Sequence, residues 1–165
     1  MNGRFLLIIL GVLVLGCEVK YKESKQSLES EPSEVAFSKE ELIEKANSFY
    51  KEDDCLNSVK YLSKLIKIDS TNGEFIFKRG YCYARIDSLN ASTLDYIKAA
   101  ELEHRVADAY YNIGLNYTMQ FDDSMALKYF FKALEINPKD QEISDEIKAA
   151  KERLNHDDDI NEVTK

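Results

Sequence analysis

Residues 107–140 read ADAYYNIGLNYTMQFDDSMALKYFFKALEINPKD, and the reading of this stretch decides the fold. Apolar residues recur at three- and four-residue spacing on both sides of the polar break at Asp122-Asp123, which is the period of two amphipathic helices. The predicted helices are 107–119 and 123–136, and Pro138 follows the second, where a helix cannot continue. Gly114 on the first helix and Ala126 on the second let two backbones approach closely, and Tyr117 fills the space beside that contact.

The same register extends upstream at a fixed period of 34 residues. Ala46, Gly80 and Gly114 share it, as do Phe49, Tyr83 and Tyr117, and Ser58, Ser92 and Ala126; so do Leu62, Tyr96 and Phe130, and Leu65, Ala99 and Ala133. Five positions agreeing without a gap define three units, 39–72, 73–106 and 107–140. The earlier units supply predicted helices at 39–51, 55–67, 73–85 and 89–102, and the first starts at Ser38 with Glu41 three residues on, the spacing of a capping box. Each pair leaves an apolar face uncovered, so the pairs must stack. Residues 141–154 carry Ile143, Ile147, Ala150 and Leu154 along one stripe with charges around the rest, which predicts a helix capping the stack. Residues 155–165, with Asp157, Asp158 and Asp159 and no apolar period, read as a loose acidic tail. No strand is predicted, so the fold class is all-α.

In the third unit Tyr110, Ile113, Gly114, Tyr117, Ala126, Phe130, Ala133 and Pro138 occupy the eight positions that define a tetratricopeptide repeat, and the unit closely resembles one. The second keeps Gly80, Tyr83, Tyr96 and Ala99 but has His104 in place of the proline, and the first is degenerate, with Lys45 and Ser70 off pattern. The resemblance implies an α-solenoid of about three helix hairpins plus the capping helix. It also implies that the first helix of each hairpin lines a concave groove for an extended peptide or a partner helix. Carried over position by position, that groove comprises Ile43, Asn47 and Tyr50, then Phe77, Tyr81 and Arg85, then Tyr111, Leu115 and Met119. Large apolar residues on a face not used for stacking point to recognition. The family's chaperone-binding variant clamps a terminal carboxylate with Lys and Asn; here Asn47 matches, while Ile43, Lys78, Asp108 and Asn112 do not reproduce the set.

Ahead of the repeats, Asn2-Gly3-Arg4 precedes the apolar run Phe5 to Leu15, too short to span a bilayer securely but suited to a secretion signal. The run ends in Val14-Leu15-Gly16-Cys17, which resembles the bacterial lipoprotein signal apart from the bulky Leu15. That resemblance implies cleavage of residues 1–16 and acylation of Cys17, with two or three chains giving a stable anchor. Residues 17–37 are mostly Lys, Glu and Ser without a helical period, and read as a flexible tether. The expected location is a bacterial cell envelope, periplasm-facing. Glu18 is not the aspartate that commonly signals inner-membrane retention, which favours the outer membrane.

Against 22 Lys and Arg stand 30 Asp and Glu, a net charge of −8 that repels phosphate and excludes nucleic acid as the expected partner. Nothing reads as an active site: His104 lies at a turn and His156 in the tail, the six glycines are dispersed, and Asp157 to Asp159 lack the alternating spacing of a calcium loop. No catalytic residue, metal or cofactor is therefore expected. Cys55 and Cys82 sit on helices that touch in a stack, and the sequence leaves open whether they form a disulfide or remain free core thiols. The function expected is a non-catalytic, membrane-anchored scaffold or adaptor that binds a protein or peptide. The alternatives are a self-associating structural subunit and an accessory part of an envelope complex.

Overall fold

The computed structural model describes residues 37–163, with side-chain surroundings through residue 156. Residues 1–36, on which the expected signal segment 1–16, the expected lipidation of Cys17 and the expected tether fall, lie outside the described residues. Among the described residues seven α-helices follow one another: α1 (Lys39–Lys51), α2 (Cys55–Ile68), α3 (Gly73–Arg85), α4 (Leu89–Glu101), α5 (Val106–Met119), α6 (Asp123–Ile136) and α7 (Gln141–Val163). No strand occurs among the described residues. Each helix packs on the next in the chain, which is the nearest-neighbour arrangement of a solenoid.

Local chemistry sets the helix starts. Ser38 and Glu41 form the reciprocal capping box, Glu41 N–H donating to Ser38 Oγ at 3.2 Å and Ser38 N–H to Glu41 Oε2 at 2.8 Å. Asp54, Asn72 and Asp122 each accept an amide N–H of the first turn of α2, α3 and α6, satisfying donors that a helix start leaves free. Two boundaries differ from expectation. Phe37, placed at the end of the tether, packs against the cluster of Leu42, Ala46, Leu62, Leu65 and Phe75 and lies 6.0 Å from the Tyr61 ring. An apolar residue just before the cap fixes the chain's approach to the helix. The capping helix runs to Val163 rather than stopping at 154, because no Gly or Pro follows Leu154 to end it.

The small residues of the 34-residue register lie at the contacts within each hairpin. Ala46 and Ser58 are buried, and Ser58 Oγ donates to the Ala46 carbonyl at 3.2 Å across α1 and α2. The first unit, degenerate in sequence, thus keeps the small-residue contact between its two helices. The joints between helices, within and between hairpins, are partly polar. Asn116 on α5 is buried and donates to Ser92 Oγ at 2.8 Å and Thr93 Oγ1 at 3.1 Å on α4. Arg79 on α3 forms a two-pronged pair with Asp95 on α4 at 2.7 and 2.8 Å and reaches Ser63 on α2 at 3.2 Å. Such groups fix which rotation of one helix on the next satisfies all of them.

Candidate functional site

The first helices of the three hairpins, α1, α3 and α5, present the residues expected to line a groove, and the structure sorts those nine. Tyr81, Arg85, Leu115 and Met119 surround a single cavity of about 440 Å³, together with Ala84, Asp87, Tyr96 and Asn112. Tyr50 lies beside it, its ring 5.3 Å from that of Tyr81. Asn47 is engaged inside the protein: Lys78 Nζ donates to its Oδ1 at 2.9 Å, while also pairing with Glu74 at 2.6 Å. Ile43 packs against the Leu42–Leu62 cluster. Tyr111 donates its hydroxyl to Glu142 on α7 at 2.8 Å and sets its ring 5.8 Å from Phe130, so it ties the capping helix to the third hairpin.

Phe77 corrects the expectation. It is 4% exposed, in one cluster with Ile76, Tyr96, Ala99, Ala109 and Ile113, with its ring 5.0 Å from that of Tyr96. The guanidinium of Arg105 lies over the Phe77 ring at 4.4 Å. The residue belongs to the core because Tyr96 of α4 and Ala109 and Ile113 of α5 close over it, so a position one turn from the groove already faces protein.

The cavity's lining is mixed. Leu115, Met119 and the Tyr81 ring are apolar, and Asn112 and Arg85 supply polar edges. Arg85 is paired with Asp53 of the α1–α2 turn at 2.6 Å, and this contact holds the Asp53 carboxyl below its usual range. At the floor stands Tyr96, wholly buried, with no hydrogen-bond partner for its hydroxyl. Burial pushes the Tyr96 and Tyr50 phenols above the usual range. Tyr96 and Asn112 were not among the nine. Tyr96 was assigned to packing by its register with Leu62 and Phe130, and only the folded chain shows its edge reaching the cavity.

Cys55 and Cys82 are both buried and free. Cys55 Sγ lies 3.9 Å from Asp53 Oδ1, and burial pushes the Cys82 thiol up to about 12. Among the described residues no group of three or more His, Cys, Asp or Glu is placed to hold a metal ion.

Residues 107–140 match the model of the tetratricopeptide repeat family. The third hairpin, α5–α6, thus matches one tetratricopeptide repeat. It is 28% identical over 116 residues, 70% of its length, to Hsp70-Hsp90 organizing protein 3 of Arabidopsis thaliana, and covers 21% of that protein. The chain thus spans about a fifth of the length of the curated relatives it matches. Among solved structures it is similar to the tetratricopeptide domain of P58(IPK), with a TM-score of 0.70 at 17% identity over 76% of this chain and 35% of that one. It is also similar to the first tetratricopeptide domain of Spaghetti (RPAP3) bound to the HSP90 peptide SRMEEVD, with a TM-score of 0.61 at 22% identity over 68% of this chain and 92% of that one. These likenesses show the fold of α1–α7, an all-α solenoid of stacked helix hairpins.

Proposed function

We propose that this chain is a non-catalytic adaptor that takes an extended segment of a protein partner in the groove of α1, α3 and α5, while acylated Cys17 holds it to a bacterial envelope membrane. The observation that carries the groove reading is the cavity of about 440 Å³ in which Tyr81, Arg85, Leu115 and Met119, drawn from two successive hairpins, converge. Concave sites with an apolar lining and a few fixed polar groups are where proteins hold ligands. The solved RPAP3 domain, bound to a peptide, supports the same use of a similar fold. The terminal-carboxylate mode fits poorly here: Lys78 is already committed to Asn47 and Glu74, and Arg105 to Asp108 at 2.7 Å. A segment held by apolar side chains and main-chain hydrogen bonds fits better.

The anchor rests on the Phe5–Leu15 run and on Gly16-Cys17. No helix among the described residues is long and apolar enough to cross a membrane. Purification from membranes with an affinity tag, followed by identification of co-eluting proteins, tests both halves. Met119→Asp, at a half-exposed site, is expected to shift stability by under about 0.5 kcal/mol, and Tyr81→Ser by roughly 1 kcal/mol. Both are expected to lose the specific partner retained by the parent protein. Partner capture unchanged in both variants removes the groove. Cys17→Ala is expected to leave the protein unacylated and in the soluble fraction or as an unprocessed precursor, whereas normal processing and membrane retention of that variant remove the anchor.

A further inference from the structure

The turns inside the three hairpins share one unusual backbone position. Asp53, Asp87 and Phe121, each 34 residues from the last, all have left-handed conformations with φ of 57°, 60° and 60°. Asp tolerates that region because its short polar side chain bonds locally, whereas a bulky side chain meets steric cost there. In the third hairpin the residue is nevertheless Phe, and its ring is 94% exposed. The fold gains no packing from it. Strain that returns nothing to the fold points to a use outside the monomer.

Beside Phe121 is a place for such a ring. A hollow of about 290 Å³ is lined by Asn90, Thr93, Leu94 and Ile97 of α4, by Tyr117, and by Gln120, the chain neighbour of Phe121. Leu94 on its rim is 67% exposed, and none of the lining residues is charged. Leu94, Ile97 and Tyr117 give it apolar surface against which an aromatic ring can rest, beside the polar groups of Asn90, Thr93 and Gln120. The surface thus carries an apolar knob and a hollow side by side. In a two-fold dimer a patch meets its own copy, so a knob adjoining its own hollow is complementary to itself.

We infer that Phe121 of one copy seats in the α4–α5 hollow of a second copy, giving a two-fold dimer through the α5–α6 turn and the outer face of α4. A second copy accounts for both features at once, since the hollow and the ring are supplied by the same chain. This hollow and the groove cavity share no lining residue, so a dimer keeps both grooves free and holds a partner with two sites by avidity. Because each chain carries a net charge of −8, the copies repel, and added salt strengthens the contact rather than weakening it.

Sedimentation of the purified full chain over a range of concentrations, at low and high salt, tests this. The parent is expected to dimerise reversibly, more tightly at high salt. Phe121→Asp installs the side chain that the other two turns already use, so it folds, and thermal melting verifies that. It is expected to raise the dimer dissociation constant at least about 100-fold, as the loss of two buried aromatic anchors requires. Leu94→Glu, on the hollow side, is expected to do the same, and a mixture of the two variants, which retains one intact knob and hollow, to recover part of the dimer. A parent that is monomeric at every concentration overturns the inference, as does a dimer indifferent to Phe121→Asp. Loss of a different protein on Phe121→Asp while the parent stays monomeric assigns the ring to that protein and likewise overturns the dimer.

Discussion

Gly114→Leu destabilises the domain by at least about 3 kcal/mol, and Gly114→Ala alone by about 1–2 kcal/mol. A Cβ built at Gly114 would lie 2.4 Å and 2.5 Å from Phe130 Cε1 and Cδ1 and 3.0 Å from Cζ, closer than carbon atoms tolerate. Phe130 cannot withdraw: it is wholly buried among Ala126, Ala133, Ile143 and Ile147, with Tyr111 on one side. Relief must come from spreading α5 and α6, and overpacking of this kind costs about 1–3 kcal/mol or more. The roughly 1 kcal/mol by which Ala exceeds Gly in helix propensity offsets only part of this. Gly80 is the control. Its added Cβ meets Asp95 Cβ at 3.2 Å and Ser92 O and Tyr96 Cδ1 at 3.4 Å, distances that small shifts accommodate. Gly80→Ala is therefore expected to change stability by less than about 1 kcal/mol, since propensity and crowding oppose each other. Urea midpoints at constant slope measure both. Equal losses at the two glycines would contradict the close approach at Gly114.

Phe77→Ala is expected to cost about 3–5 kcal/mol, the usual range for an aromatic truncated inside a core. The ring fills the joint between the second and third hairpins, with Tyr96 at 5.0 Å and the Arg105 guanidinium over its face at 4.4 Å. Its removal opens a cavity and takes from Arg105 an aromatic face worth about 0.5–2 kcal/mol. Tyr81, four residues on, lines the groove cavity and is expected to lose roughly 1 kcal/mol as Ser. Melting of the two variants side by side checks the division without a partner in hand. A Phe77→Ala protein that melts with the parent would return Phe77 to the groove floor.

The nine groove candidates show where reading a linear chain runs out. Periodicity places Phe77, Tyr81 and Arg85 on one stripe of α3, yet the first is enclosed, the second half-buried and the third exposed. α3 packs on α2 and α4 and meets side chains of α5 at Phe77, so a stripe of residues four apart passes from the core at Phe77 to solvent at Arg85 in about two turns. Tyr111 has the same ambiguity for another reason: Glu142, its hydroxyl's partner, comes from a helix 31 residues later. Tyr96 was hidden by its register, which identified it correctly as a packing residue and was silent about the cavity at its edge.

By itself the sequence determined what local chemistry controls. Side chains of Ser38, Asp54, Asn72 and Asp122 start helices by satisfying their own neighbours' amides, and the 34-residue register of small and aromatic residues dictated hairpins that stack. Hence three of the seven helices have the expected bounds to the residue and three others differ by one. Only the tertiary structure decided which large side chains the stack encloses and which it leaves on the groove. Phe77 and Tyr81 differ little in intrinsic preference, and their fates depend on the side chains that distant helices bring against them. The same holds for Phe121, whose exposure and neighbouring hollow exist only because α4 and the α5–α6 turn meet across more than twenty residues of chain.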